Sequence, residues 1–347
     1  MKALSGTALA VMAALMLTAC TSVEPEEASR VPVAFADLPG WYRDGTSAVL
    51  PALRRSCAPR RLVLTEEICA ALDDMPDQVD DTQIRAFFEH YFQPYALIGS
   101  GNGANGLFTG YYEPEVTGSF RPDATAATPL YRLPPKTPGE AMPSRAEIFQ
   151  GALEDQDLEL AYLDDPVAAF FLEIQGSGVL RLRDGRTRRL AYAGQNGHPY
   201  VPIGRILADA QEIPRSEVSL FTIHAWLRAN PLKAQDLMNS NPSYVFFRLL
   251  EPGAEGPIGA QGVPLTAGRS LAVDRRYTPY GTPVWLDADP PLAGMPRVQR
   301  LMMAQDTGGA IRGVVRGDVF WGTGEEAGQI AGAMKSRGRI YQLLPKN

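Results

Sequence analysis

Three aspartates lie where a carboxyl group could do acid–base chemistry. Asp306 ends the apolar stretch "LMMAQD", Asp274 ends "SLAVD", and Asp318 lies in "RGDVFWG". A carboxyl group at the end of a buried strand is partly desolvated, which raises its pKa and keeps a proton on it near neutral pH. Such a group suits a general acid. The same spacing also fits ordinary turns, because Asp and Gly are common turn residues.

The glycines that follow Asp306 strengthen the catalytic interpretation. Gly308 and Gly309 come two and three residues after it. A residue without a side chain lets a ligand approach the backbone closely. The pattern therefore predicts an acid beside a surface that a ligand can reach.

Several other kinds of site are excluded. The net charge of −6 argues against a nucleic-acid partner, which needs a basic face. Three histidines without a cysteine cluster make a metal site improbable. The stretch "GSGNGANG" follows no clear strand, so it is not a dinucleotide fingerprint. A single Asp-Thr-Gly cannot form the aspartate pair of an aspartic peptidase.

The N-terminus has the pattern of an export signal. Lys2 precedes a short apolar run that ends in "LTAC", which resembles a bacterial lipobox with lipid on Cys20. Thr21 follows that cysteine where an inner-membrane lipoprotein usually has aspartate, so we expect an outer-membrane anchor facing the periplasm. In that oxidising compartment Cys57 and Cys69 are predicted to pair, with two buried free thiols as the alternative.

Helix and strand patterns alternate along the chain. An amphipathic helix is predicted over "DTQIRAFFEHYFQPYAL", with Asp81 or Thr82 as its N-cap. A capping box of Ser144 and Glu147 starts a short helix, and "AFFLEIQGSGVLRLRDGRTRRLAYAG" indicates strands with a hairpin turn at Asp184-Gly185. Helices follow, and the last hundred residues are rich in strands.

Six stretches, taken together, resemble one family. They are "FTGYYEP", "IQGSG", "YAGQNGHPY", "NPSYVFF", "LAVDRRYTPYGTPVWL" and "AQDTGGAIRGVVRGDVFWG", in this order along the chain. The family is that of membrane-bound lytic murein transglycosylase A, whose C-terminal domain carries three aspartates. Each stretch alone is a weak signal, but all six in order are very specific.

The resemblance implies a mainly β fold with helices. A double-psi β-barrel domain is expected from residues 37–106 and 246–347, with a β-rich domain inserted at residues 107–245 and a long substrate groove between the two. Residues 1–19 are the predicted signal peptide and residues 20–36 a tether.

The resemblance also assigns chemistry. Asp306 is implied to be the single catalytic acid and base, with Asp274 and Asp318 supporting it and Arg275 or Arg316 as their candidate partners. The substrate is a peptidoglycan glycan strand, cleaved at the MurNAc-β-1,4-GlcNAc bond to leave 1,6-anhydroMurNAc ends. No cofactor or metal is expected. No motif identifies a partner among cell-wall synthesis or division proteins.

The expected substrate-binding residues carry hydroxyls, amides, aromatic rings or no side chain at all. They are Thr109, Tyr111, Tyr112, Gln175, Gly176, Ser177, Tyr192, Gln195, Asn196, Gly308 and Gly309. Packing in the core is the alternative for Tyr112 and Tyr192, because aromatic residues are major core formers. Plain hairpin turns are the alternative for "GSG" and "GQNG".

Two other functions fit parts of this pattern. A hydrolase acting on the same bond would need a second carboxylate about 5–9.5 Å from the first, and Asp274 or Asp318 would be the candidate. A non-catalytic lipoprotein that binds peptidoglycan would need the groove but not the acid.

Overall fold

The computed structural model describes residues 27–57, 63–101, 103–135 and 141–346. The predicted signal peptide, Cys20 and the first part of the tether lie outside these residues. Within them, no helix is both long enough and apolar enough to cross a bilayer.

Two sheets organise the fold. The first holds β1 Ala28–Pro32, β2 Phe92–Gly99, β3 Gly106–Glu113, β10 Ser270–Val273, β11 Pro283–Ala288, β12 Val298–Asp306, β13 Arg316–Thr323 and β14 Lys335–Pro345. The second holds β4 Glu115–Ser119, β5 Thr128–Tyr131, β6 Glu159–Leu163, β7 Ser177–Leu182, β8 Thr187–Gln195 and β9 Val245–Leu249.

Nine α-helices are found in the described part of the chain. They are α1 Leu50–Ser56, α2 Glu66–Asp73, α3 Asp81–Tyr91, α4 Arg145–Phe149, α5 Pro166–Gln175, α6 Ile203–Asp209, α7 Leu220–Ala229, α8 Pro231–Asn239 and α9 Glu325–Ala333. Short 3-10 helices occur at Phe35–Asp37, Trp41–Arg43, Thr46–Val49 and Arg215–Glu217.

Six strands of the first sheet close into a barrel. Their order is β14, β11, β12, β10, β13 and β3, and β3 pairs again with β14 to complete the ring. The pairs β10–β12 and β13–β3 are parallel. This closure leaves no strand of the ring unpaired. The interior of the barrel is filled with side chains, which include the buried Phe108, Leu271, Val284, Met302 and Val319. The predicted fold class, a barrel with a second β-rich sheet, is confirmed.

The N-terminal helices cover the outside of the barrel. Trp41, Leu53 and Phe88 are almost fully buried against Trp285 of β11. A disulfide joins Cys57, just after α1, to Cys69 within α2, with 5.7 Å between the Cα atoms. These helices thereby become part of one core with the barrel wall.

The chain leaves the barrel after β3 and returns after β9. By hydrogen bonding, β3 belongs to the barrel, whereas β9 pairs with β8 in the second sheet. The crossings therefore lie near residues 114 and 250, several residues beyond the predicted limits of 107 and 245. The prediction followed the glycine-rich change of composition, which precedes the change of sheet.

Three local predictions were wrong. Residues 28–32, expected in the tether, form β1 and pair with β2, where Arg30 also donates to Gln342. The predicted helix ends at Tyr91, because Pro94 lacks an N–H and favours extended backbone before it. The stretch "AFFLEIQ" is the helix α5 rather than a strand.

Other local predictions were right. The predicted amphipathic helix is present as α3, although its N-cap is Asp80 and not the predicted Asp81 or Thr82. The Ser144–Glu147 capping box opens α4 with both of its hydrogen bonds. Asp184 and Gly185 form the turn between β7 and β8, and Gly185 has the positive φ of 84° that such a turn needs.

Arg189 forms hydrogen bonds at both places where the chain passes from one sheet to the other. Arg189 of β8 donates to the Glu113 carboxylate at the outgoing crossing and to the Ala254 carbonyl at the return, 3.0 Å away. Thr323 of β13 donates to the same Glu113 oxygen at 2.7 Å. Glu113 is fully buried, so these bonds tie the second sheet to the barrel in a place that water does not reach.

We predict that Glu113→Ala lowers the free energy of unfolding by about 2–3 kcal/mol, because it leaves Arg189 partly buried without its counter-ion. The matched control is Arg183→Ala, whose exposed bridges to Asp123 and Asp164 should contribute much less, because solvent screens them. Urea unfolding measures both. Equal losses in the two variants would contradict this role of Glu113.

Candidate active site

Strand register brings the three aspartates to one edge of the barrel. Ala272 of β10 pairs with Asp306 of β12 on one side and with Asp318 of β13 on the other. Asp274 follows the end of β10. Because β10 and β12 run parallel, their carboxyl ends meet at this edge. Residues far apart in the chain therefore share one site.

Three donors hold the Asp306 carboxyl group. Its Oδ2 accepts a hydrogen bond from the Tyr111 hydroxyl at 2.8 Å. Its Oδ1 accepts from the backbone N–H groups of Ala260 and Thr307, both at 2.9 Å. Burial raises the pKa of Asp306, and the three donors reduce that rise without cancelling it. The group therefore keeps its proton to a higher pH than an ordinary aspartate.

Tyr111 is fixed in this role by its strand. It lies opposite Phe320 in the β3–β13 pair, and the two ring centroids are 5.3 Å apart. Burial and the nearby Asp306 raise the pKa of Tyr111 well above its usual value. The phenol thus stays protonated and serves as a hydrogen-bond donor.

Asp318 belongs to a second hydrogen-bonded chain beside the first. Thr109 donates to its Oδ1 at 2.6 Å, and Arg316 donates to the Thr109 hydroxyl at 2.8 Å. Burial raises the pKa of Asp318 to about 6, even though Thr109 and Arg316 favour its charged form. Near neutral pH it is therefore mostly ionised and adds negative charge near Asp306.

Asp274 holds the shape of the edge. Arg276 donates to both of its oxygens, the shortest contact being 2.6 Å, and the Gly313 N–H donates at 3.0 Å. Burial would raise the pKa of Asp274, but these donors outweigh it and lower the pKa. Its partner is thus Arg276 rather than the predicted Arg275, whereas Arg316 does lie at Asp318.

An open cleft of about 1000 Å³ runs between the barrel edge and the second sheet. The barrel contributes Asp306, Asp318 and the segment 306–312, and the second domain contributes the opposite wall. Predicted residues that line the cleft are Tyr111, Gln175, Gly176, Ser177, Tyr192, Gln195, Gly308 and Gly309. Asp306 lines this cleft and is only partly buried, so the cleft keeps it accessible.

The two glycines that follow Asp306 differ in the space around them. A Cβ at Gly309 would meet no protein atom within 4 Å. A Cβ at Gly308 would come to 3.2 Å from Ile311, which is tight. The backbone beside Asp306 is therefore bare on the side that faces the cleft.

Three predicted substrate-binding residues serve the structure instead. Thr109 lies behind the cleft wall between Arg316 and Asp318. The Tyr112 ring faces α9, where a Cβ on Gly328 would come to 2.8 Å from it. Strand alternation explains the position of Tyr112, because it and its neighbour Tyr111 in β3 point to opposite faces.

Asn196 is the third correction. It is only 5% exposed. Its Nδ2 donates to the carbonyls of Pro143 and Pro242 at 2.9 and 2.8 Å, and its Oδ1 accepts from the Tyr244 N–H at 3.0 Å. The side chain therefore pins two loops together and has no donor left for a ligand.

One feature of the cleft wall was missed by sequence reasoning. Arg145 and Glu173 form a buried two-pronged ion pair with distances of 2.8 and 2.9 Å. Glu173 also accepts from the Val245 N–H at 3.0 Å, and burial raises its pKa. Glu173 lies inside the stretch "FLEIQGSG", where a charge in an apolar run was a signal that could have been followed.

The backbone N–H of Ala260 was also missed, because a backbone donor leaves no trace in residue type. In the part of the chain that the structure describes, no group of three or more His, Cys, Asp or Glu residues is placed to hold a metal ion. Fold and site together define a two-sheet protein whose barrel presents an aspartate of raised pKa to an open cleft.

Comparison with known proteins gives this class a family. Residues 107–248 match the MltA-specific insert domain and residues 269–344 the 3D domain. A membrane-bound lytic murein transglycosylase A of Vibrio cholerae is 38% identical over 263 residues, which are 74% of this chain and 70% of that protein. The chain belongs to the membrane-bound lytic murein transglycosylase A family, as its sequence motifs predicted.

Solved structures agree with this membership. The membrane-bound lytic murein transglycosylase of Agrobacterium tumefaciens has a TM-score of 0.81 at 34% identity, covering 91% of this chain and 98% of its own. Escherichia coli MltA with bound chitohexaose has a TM-score of 0.69 at 30% identity, covering 94% of both chains.

The pKa of Asp318 predicts how stability changes with pH. Because this pKa lies above the ordinary 3.8, the folded state holds a proton that the unfolded state has lost, and the resulting stability disappears as the pH rises through about 6. Replacing Asp318 by Asn removes this loss. We therefore expect the free energy of unfolding of Asp318→Asn, relative to that of the parent protein, to increase by about 2 kcal/mol as the pH rises from 4.5 to 7.5. Urea unfolding at each pH measures this difference.

Asp274→Asn is the control, because the pKa of Asp274 is lowered whereas that of Asp318 is raised. The pKa of Asp274 is lowered, so its contribution is present above its ordinary pKa of 3.8 and is lost only as the pH falls through the lowered value. Its effect should stay constant between pH 4.5 and 7.5. A constant effect for Asp318→Asn as well would show that Asp318 titrates normally.

Proposed function

We propose that this protein is a lytic transglycosylase of peptidoglycan. It cleaves the MurNAc-β-1,4-GlcNAc bond without water and leaves 1,6-anhydroMurNAc ends, for turnover and remodelling of the cell wall. The observation that carries the proposal is the Asp306 carboxyl group, whose pKa is raised by burial, in an open cleft of about 1000 Å³. The binding of chitohexaose by the E. coli relative supports a glycan in this cleft.

The first step uses the proton of Asp306. The group donates it to the oxygen that bridges the two sugars, the C1–O bond breaks, and an oxocarbenium-like state forms at MurNAc C1. The Tyr111 hydroxyl and the two backbone N–H groups then stabilise the carboxylate that remains. Donors fixed by the fold need no rearrangement at this moment.

The second step uses the same residue as a base. The Asp306 carboxylate removes the proton from the C6 hydroxyl of that MurNAc, and the oxygen attacks C1. The new C1–O6 bond closes the anhydro ring, and Asp306 regains its proton. The attacking oxygen is part of the substrate, so proximity replaces a bound water.

The opposite wall supplies binding rather than chemistry. Gln175, Ser177 and Gln195 offer amide and hydroxyl groups to sugar hydroxyls, and the half-exposed Tyr192 offers a ring face. The Gln175 amide oxygen already accepts from the Tyr112 N–H at 3.1 Å, which orients its NH₂ group as a donor. Gly308 and Gly309 let the glycan pass close to Asp306.

The relatives are named membrane-bound, which supports an anchor for this chain too. We place it at Cys20 as a lipid in the outer membrane, with the folded part facing the periplasm. The residues between Cys20 and β1 then bridge the membrane and the barrel. This position gives the cleft access to peptidoglycan. The reaction as written uses neither metal nor nucleotide.

A hydrolase would need a second catalytic carboxylate. Asp318 is two strand spacings from Asp306, about 10 Å between Cα atoms, and its Oδ1 is engaged by Thr109. Asp274 has Arg276 and Gly313 on its oxygens. Asp274 is therefore engaged on both oxygens, and Thr109 holds one oxygen of Asp318, which favours the lytic reaction.

Asp306→Asn tests the catalytic assignment. The amide keeps an oxygen for the N–H groups of Ala260 and Thr307 but carries no acidic proton. With purified peptidoglycan as substrate and mass spectrometry of the products, we expect anhydro-muropeptides from the parent protein and a loss of about 10³-fold in the variant.

The same experiment separates the rival functions. Products one water heavier, with reducing ends, would mean hydrolysis. An inactive parent protein that still binds peptidoglycan would mean a non-catalytic lipoprotein. Retained binding by Asp306→Asn shows that its fold is intact.

Tyr111→Phe tests the donor that tunes Asp306. The phenol favours the charged carboxylate and so lowers the pKa of Asp306. Its removal should move the alkaline limb of the kcat/KM profile to higher pH, because Asp306 then keeps its proton longer. It should also reduce kcat by about 10- to 100-fold, since the carboxylate loses a donor. Phe320→Leu alters only the packing and should leave the alkaline limb of the kcat/KM profile unchanged. An unchanged alkaline limb in Tyr111→Phe as well would contradict the role of Tyr111 as the donor that lowers the pKa of Asp306.

A further inference from the structure

The charges that line the cleft do not balance. Five arginines and four acidic residues face it. Two of these arginines, Arg145 and Arg276, are paired with Glu173 and Asp274. The remaining three, Arg248, Arg275 and Arg312, have no carboxylate within 4 Å among the described residues. An acidic chain of net charge −6 thus keeps three exposed cations in its cleft without a partner.

These three arginines lie on both sides of the cleft. Arg248 projects from β9 of the second sheet, whereas Arg275 and Arg312 belong to the barrel edge. Arg275 and Arg312 both lie close enough to Tyr280 to lower its pKa, although burial raises that pKa overall. A ligand that fills the cleft therefore passes between cations on opposite walls.

Arg312 is held in position by the loop that carries it. Its guanidinium donates to the carbonyls of Gly308 and Ile311 at 3.0 and 2.9 Å. The next residue, Gly313, is tied to Asp274 through its N–H. These contacts engage only one nitrogen of the guanidinium, so the other donors stay available beside the glycines that face the ligand.

An arginine binds a carboxylate through two parallel, charge-assisted hydrogen bonds, which are stronger than its hydrogen bonds to neutral sugar hydroxyls. Unpaired guanidinium groups in a cleft therefore favour a ligand that carries carboxylates. In a murein strand every second sugar carries a lactyl group. Its carboxylate is free when the peptide has been removed; otherwise it is amide-linked to a peptide that has carboxylates of its own. A neutral glycan such as chitohexaose has none.

We propose that Arg248, Arg275 and Arg312 form a carboxylate-binding subsite that selects glycan strands bearing lactyl or peptide carboxylates over neutral glycans of the same length. This inference rests on the proposed function for the identity of the strand. It adds a determinant of specificity that is separate from the acid chemistry of Asp306. The three residues bind substrate and take no part in proton transfer.

The test measures binding in the Asp306→Asn background, so that no cleavage occurs. Isothermal titration compares three ligands of equal length: chitohexaose, a murein oligosaccharide with free lactyl carboxylates, and one with peptide stems. We expect the two acidic ligands to bind at least about tenfold more tightly than chitohexaose at low salt. Replacing all three arginines by Gln should reduce the preference to about one and leave chitohexaose affinity unchanged.

The controls separate this subsite from general charge. Arg121→Gln and Arg205→Gln remove exposed arginines outside the cleft and should preserve the preference. Loss of affinity for the stem-bearing ligand alone would identify the peptide as the source of the carboxylate, and loss for the ligand with free lactyl groups would identify the lactyl group. A parent protein that binds all three ligands equally, or a triple variant that keeps the preference, would overturn the proposal.

This outcome is independent of the proposed reaction. Product analysis of the protein with Asp306 intact reports on transglycosylation, whereas the ratio of affinities reports on the arginines. A transglycosylase with no preference would refute only the subsite. A strong preference in a protein that forms no anhydro product would refute only the reaction.

Discussion

The balance of forces on the Asp306 carboxyl group is the constraint on which the site depends. Burial favours the protonated form, whereas the Tyr111 hydroxyl and the N–H groups of Ala260 and Thr307 favour the charged form. If burial acted alone, the group would give up its proton too reluctantly; if the donors dominated, it would have no proton to give. One residue that acts as acid and then as base needs both protonation states to be accessible within one turnover. The opposing effects of burial and of the three donors on this pKa suit that requirement.

Barrel topology supplies most of this balance, and the loop between β9 and β10 adds the Ala260 N–H. The strand order β12, β10 and β13 places Ala272 between Asp306 and Asp318, so the small side chain leaves room for two carboxyl groups on one edge. The parallel pair β13–β3 then brings Tyr111 across to Asp306. Two hydrogen-bonded chains result, one that ends in the acid and one that ends in Asp318. Ring closure makes their spacing rigid, because no strand of the ring has a free edge that could shift.

The sequence predicted the elements with strong local signals and missed those decided by tertiary contacts. The buried strands β10 to β13 were recognised from apolar runs bounded by turns. The helix α5 was mistaken for a strand because its residues are apolar on all sides; yet Asp165 as N-cap, Pro166 at the first position and Gly176 at the end are helix signals present in the sequence. In the site, residue types pointed to Asp306, Gly308 and Gly309, which lie together along the cleft. They could not reveal that Tyr112 faces α9 or that Asn196 pins two loops, because the face of a strand depends on register.

In the proposed reaction, the different roles of the two sheets follow from the source of the nucleophile. A hydrolase must build an acid and a water-activating base on either side of one bond, which fixes both walls of its cleft. When the substrate brings its own attacking hydroxyl, only one wall has to carry chemistry. The other can be built from amides, a ring face and a buried ion pair such as Arg145–Glu173, which keeps β9 and the end of α5 together. The two crossings held by Arg189 and Glu113 then matter because they fix the distance between a reactive wall and a binding wall. A change in that distance would alter substrate affinity and positioning while leaving the protonation of Asp306 intact.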